Sequence, residues 1–72
     1  MQYLVVVEKG LSSYGAFVPD LPGCVAVAET EKEVIELIQE AILFQLEDLH
    51  AEGQPIPPPV SKSTFIEVDL AA

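Results

Sequence analysis

The stretch from Tyr14 to Cys24, YGAFVPDLPGC, followed at once by VAVAET ending at Thr30, constrains this chain more than any other. Pro19 and Pro22 fix φ at two points and withdraw two backbone donors, while Gly23 permits a backbone with φ > 0. A strand must therefore run into a rigid turn and a second strand must leave it. Thr30 then opens a helix.

How much core can sit around that turn follows from length. Seventy-two residues form one domain, 1–72, with no second, DNA-binding domain expected after it. A chain of this size buries roughly 60% of the surface that its unfolded form exposes. Half of the residues are hydrophobic, which is rich for a small core and raises the question of where they go. The net charge is −9, from twelve acidic side chains against three basic ones. Phosphate contacts need Lys and Arg, so direct nucleic-acid binding is not expected; an acidic surface suits a basic partner or simple solubility. Cys24 is the only cysteine, so the chain forms no internal disulfide. The first eight residues lack the length and basic start of a signal peptide, and no apolar run approaches the roughly 20 residues of a membrane span. A cytoplasmic location is expected.

Local signals predict five elements. Gln2 to Glu8 is rich in β-branched residues and reads as a strand, followed by a hairpin loop over Lys9 to Ser13. Tyr14–Val18 and Cys24–Ala28 are the next two strands. Thr30 to Glu33 spells a capping box, with Thr30 accepting from the Glu33 amide and the Glu33 side chain reaching back. The helix should run from Glu31 to Glu52, with Gly53 as the glycine that ends it and Pro55 just beyond. Residues 54–60, QPIPPPV, form a stiff connector. From Ser63 to Leu70, Thr64, Ile66, Val68 and Leu70 alternate with Phe65, Glu67 and Asp69, which predicts a fourth, half-buried strand.

The fold class read from these elements is α+β, in the order β-β-β-α-β. The first strand is apolar on both sides, with Tyr3, Val5 and Val7 one way and Leu4 and Val6 the other, which favours a central place. Treating the helix as a right-handed crossover then predicts a four-stranded sheet of order 3-2-1-4 with the helix on one face. A single helix covers a single face, so Leu4 and Val6 are expected on an uncovered side. On the helix, Val34, Ile35, Ile38, Ile42, Gln45, Leu46 and Leu49 share the face that meets the sheet. Leu37, Leu43 and Phe44 lie beyond its reach, Leu43 among Glu36, Glu40 and Glu47. Leu4, Val6, Leu37, Leu43 and Phe44 are the candidate contact residues for a partner or a second copy. Pro19, Asp20, Pro22 and Gly23 form a structural turn, with Asp20 expected to cap its backbone amides.

Catalytic signals are weak by comparison. His50 is the only histidine and sits in the last helical turn, where positive charge suits the helix C-terminus. Cys24 follows a turn glycine and is expected to be buried packing. The sequence contains no His/Cys metal cluster, phosphate loop, dinucleotide fingerprint or paired-cysteine motif. No catalytic, metal or cofactor site is expected.

The turn motif, then AETE at 28–31, EAILFQLE at 40–47 and GQPIP at 53–57, resemble the HicB antitoxin family over nearly the whole chain. The resemblance implies a truncated RNase H-like fold and the antitoxin half of a HicA–HicB toxin–antitoxin pair. In such pairs the toxin is a small basic ribonuclease that cleaves messenger RNA, and the antitoxin blocks it. Many members continue into a ribbon-helix-helix or helix-turn-helix domain, for which this chain shows no basic segment. The reading is a non-enzymatic antitoxin-like binding module that forms a homo-oligomer. The alternative is a solitary homo-oligomeric scaffold or ligand-binding module with no toxin. A residual nuclease using Asp20 or Glu29 is a third, disfavoured reading, since a shared fold does not carry catalysis.

Overall fold

Two prolines and a glycine leave the turn after residue 17 few ways to close, and its backbone closes on itself. Val18 donates to the Cys24 carbonyl, Leu21 to Val18 and Cys24 to Leu21, at 3.1–3.2 Å. Gly23 holds φ at 81°, the left-handed conformation for which glycine is the natural residue. The computed structural model describes residues 1–71. It contains β1 (Val6–Lys9), β2 (Tyr14–Phe17), β3 (Val25–Ala28) and α1 (Glu31–Ala51). All pairing is antiparallel: Val6 faces Phe17, which faces Val25, and Val7 faces Ala16, which faces Ala26.

The α+β class and the β-β-β-α order are as expected, but the four-stranded sheet is not. The sheet has three strands in the order β1-β2-β3, so the expected 3-2-1-4 order fails at its fourth member. Residues 62–71 form no strand and are exposed throughout. Alternation states which face a strand would bury once it has a neighbour, and this segment has none within the chain. The same absence moves β1 from the expected centre to an edge. The apolar residues on two sides of the expected strand instead reflect one side, Tyr3 and Val5, packed against the core and another, Leu4 and Val6, facing away from the helix. β1 is also shorter than expected, since residues 2–5 pair with no strand.

The helix begins and ends as its sequence dictates. Thr30 accepts from the Glu33 amide at 3.1 Å, and its hydroxyl donates to Glu33 Oε1 at 2.9 Å, so the box closes through side chains. At the other end Gly53, with φ 70°, donates to His50, and Gln54 donates to Leu49. These two bonds are the 5→2 and 6→1 pair that satisfies the last carbonyls of a helix.

Packing follows residue size. Ala16, Ala26 and Ala28 point toward α1, and these small side chains let the helix lie close over β2 and β3. The core is Ala16, Val18, Leu21, Cys24, Val34 and Ile38, with Leu21 and Val34 wholly enclosed. Ile42 and Leu46 pack against it half-buried. Ile35, expected on the same face, is 47% exposed because the sheet ends at β1 and no further strand lies beneath it. The chain measures 55 × 28 × 17 Å with a radius of gyration of 14.9 Å, against about 11 Å for a compact chain of this length.

Candidate functional site

Apolar side chains that the fold leaves in solvent are the features with something to bind; apart from Met1, Leu11, Val60 and the exposed segment 62–71, they fall mainly in three places. The first is the sheet face opposite α1. Strand alternation sends Val6, Phe17 and Val25 outward in one row, and Glu8, Gly15 and Val27 in the next. Leu4 and Val6 are half-buried there, while Phe17, Val25 and Val27 are exposed. The sequence reading named Leu4 and Val6 and missed the other three. The available signal was the valine–alanine alternation of β3: the alanines sit under the helix, so the valines must face out.

Leu37 and Phe44 form the second place. Seven residues apart, they share one flank of α1. Both are exposed, Phe44 at 75%. Leu43 is also exposed but lies away from them, where Glu36, Gln39, Glu40 and Leu43 line a shallow hollow with Ile42 and Leu46. The three helix residues named from sequence therefore do not form one patch.

The third place is a groove of 380 Å³ between β1 and the opposite flank of α1 from Leu37 and Phe44. Val5, Val7, Ile35, Ile38, Gln39 and Ile42 line it. Its walls are aliphatic except for Gln39, and it occupies the space where a further strand would lie. The hollow around Leu43 shares Gln39 and Ile42 with it, so Glu36 and Glu40 border the same side of the helix.

The turn works differently from expectation. Asp20 caps none of the turn amides; those of Val18, Leu21 and Cys24 donate to carbonyls instead. Its carboxylate instead reaches across the chain: Oδ2 accepts from the Val60 and Ser61 amides at 3.0 and 2.9 Å, and Oδ1 accepts from the Ser61 hydroxyl at 2.7 Å. The Ser61 amide, then the Ser61 hydroxyl, hold its pKa below the ordinary 3.8 against partial desolvation, with a smaller contribution from Val60. Tyr3 adds a second tie by donating its hydroxyl to the Pro57 carbonyl. Gln45 Nε2 donates to the Pro22 carbonyl at 3.3 Å, which docks the turn against α1. The motif is thus a clamp that fixes the stiff connector to the domain.

Chemistry-bearing residues do not converge. Cys24 is buried, and that burial pushes its thiol pKa up, away from the thiolate needed for nucleophilic work. His50 is exposed in the last helical turn. Among the described residues no three His, Cys, Asp or Glu side chains are placed to hold a metal ion. No helix among them is long and apolar enough to cross a membrane.

Comparison with known proteins gives this arrangement a context. Residues 3–69 match the family described as the HicB-like antitoxin of bacterial toxin–antitoxin systems. A UPF0150 protein of Synechocystis is 46% identical over 56 residues, covering 76% of this chain and 71% of that protein. A UPF0150 protein of Helicobacter pylori is 45% identical over 47 residues, 65% of each, so the match spans just under two thirds of that relative. A UPF0150 protein of Thermoplasma acidophilum is 38% identical over 58 residues, covering 79% of this chain and 84% of that protein. No solved structure matches.

Proposed function

Because this chain belongs to the HicB-like antitoxin family of bacterial toxin–antitoxin systems, we propose that it neutralises a small basic ribonuclease toxin of the HicA type by direct contact, without catalysis of its own. The observation that carries the reading is an acidic molecule, net −9, whose large apolar side chains stand in solvent on the outer sheet face and on the helix. Charge of that sign steers a basic partner into encounter, and a dry apolar patch supplies the contact that holds it. Leu4 and Val6 with Phe17, Val25 and Val27 form the larger surface; Leu37 and Phe44 form the second.

The test is RNA cleavage by a HicA-type toxin from the same genome, titrated with the full chain. Inhibition should saturate at a fixed stoichiometry and weaken as salt is raised, since screening shortens the reach of the acidic surface. Phe17→Asp and Phe44→Asp, one on each surface, should preserve helicity by circular dichroism. At least one should weaken inhibition about tenfold or more, as expected for an aromatic anchor. Undiminished cleavage at a large excess of the chain overturns the reading and favours a solitary scaffold.

A further inference from the structure

We propose that this chain assembles by exchanging its C-terminal segment: residues 64–70 of one copy lie along β1 of a second copy and fill the groove between β1 and α1, and the second copy does the same in return. The inference goes beyond the toxin reading and stands without it.

One molecule carries both halves of the contact, each incomplete. β1 pairs only with β2, so its outer row of amides and carbonyls is an open edge of the kind to which a further strand adds. Beside that edge lies the groove, lined by Val5, Val7, Ile35, Ile38 and Ile42. The segment from Thr64 to Leu70 has the period of a half-buried strand, with Ile66, Val68 and Leu70 on one face and Glu67 and Asp69 on the other. Those aliphatic side chains are exposed in the single chain, Leu70 at 92%. Laid along β1, the segment turns Ile66, Val68 and Leu70 into the aliphatic groove and leaves both acids in water.

Why the segment does not fill its own groove follows from how it is rooted. Asp20 holds the Val60 and Ser61 amides, Tyr3 holds Pro57, and Pro57 to Pro59 are stiff, so the exit of the segment is fixed. Beyond Pro59 the chain has no proline or glycine to favour a reversal, and residues 62–71 stay exposed and pair with no strand of their own chain. A second copy related by a twofold axis needs no reversal. It presents an identical groove to each segment, and the symmetry closes both contacts at once. An unrelated partner seated in the groove would leave the segment exposed, whereas a second copy satisfies both.

Light scattering on the full chain at about 100 µM should give twice the mass of one chain. Ile66→Asp with Val68→Asp, on the inward face, and Ile35→Asp, in the groove wall, should each give the monomer with the helical signal intact. Phe65→Asp, on the outward face of the same segment, should leave the dimer in place. A monomeric wild type overturns the proposal, as does a dimer that survives the inward-face or groove variants. Loss of the dimer on Phe65→Asp also overturns it, since it would mark face-independent association. A dimer broken instead by Phe44→Asp or Phe17→Asp assigns self-association to another surface.

Discussion

The turn at 18–24 and the segment at 64–70 are both short, both rich in apolar residues and both singled out by sequence pattern, yet they end in opposite states. In the turn the backbone is answered within a few residues: the Val18, Leu21 and Cys24 amides find carbonyls, Gly23 takes the positive φ, and Leu21 disappears from solvent. In the segment nothing is answered, and Phe65 is as exposed as in an extended peptide, at 101%. The difference teaches what a pattern means. A turn signal specifies its own partners, whereas alternation specifies only a face and leaves the partner open.

The largest test of that contrast compares two apolar truncations. Leu21→Ala removes a wholly enclosed side chain that anchors the turn to the core. It should cost about 2–5 kcal/mol, the range for Leu→Ala in a packed interior. For a domain this small that lowers the melting temperature by about 13–33 °C. Phe65→Ala removes a larger side chain, and thermal melts should register less than about 0.5 kcal/mol, as for surface sites in general. If both variants lose similar stability, the segment is packed in solution in a way the single chain does not display.

What was legible in the sequence follows the same line. The turn, the Thr30 cap, the Gly53 stop and the second and third strands depend on neighbours in sequence and form close to where their residues predict, whereas β1 starts four residues later than expected. The family, too, was legible, because its motif lies in those same local elements. The fourth strand was not, since period 2 at Thr64 to Leu70 could not reveal that no strand of this chain would pair with it. The outer sheet face was read only in part. Leu4 and Val6 were evident from a two-sided strand, but Val25 and Val27 depend on the helix choosing the alanine side of β3. Asp20 was assigned to its own turn because its partners, Val60 and Ser61, lie forty residues away.

A smaller perturbation probes the turn from within. A Cβ at Gly23 meets no atom within 4 Å, so Gly23→Ala tests backbone conformation alone. Holding an alanine at φ 81° should cost about 1–2 kcal/mol. Chemical denaturation should show a lower midpoint with an unchanged slope, which marks lost stability without a change in compactness. An unchanged midpoint would mean that the turn relaxes to negative φ and is less rigid than its hydrogen bonds imply.

Asp20 joins the two regions, because the closed turn holds the root of the open segment through this one carboxylate. Its pKa is depressed by hydrogen bonds to Ser61 and Val60, so the sign of its pH dependence is fixed. The clamp contributes above the ordinary carboxylate value of 3.8 and is lost as pH falls through the lower, folded-state pKa. Because the site is open to water, the effect on global stability should be the smallest of the set, and the local signal is the better readout. Amide exchange at Val60 and Ser61 should show protection near neutral pH that disappears in strong acid. Asp20→Asn, which keeps the shape but removes the charge, should lower that protection at neutral pH and flatten its dependence on pH. Equal protection in the two proteins across the range would show that Tyr3 and the stiffness of Pro57 to Pro59 suffice to hold the connector. The turn and the segment would then be coupled by chain geometry rather than by the carboxylate.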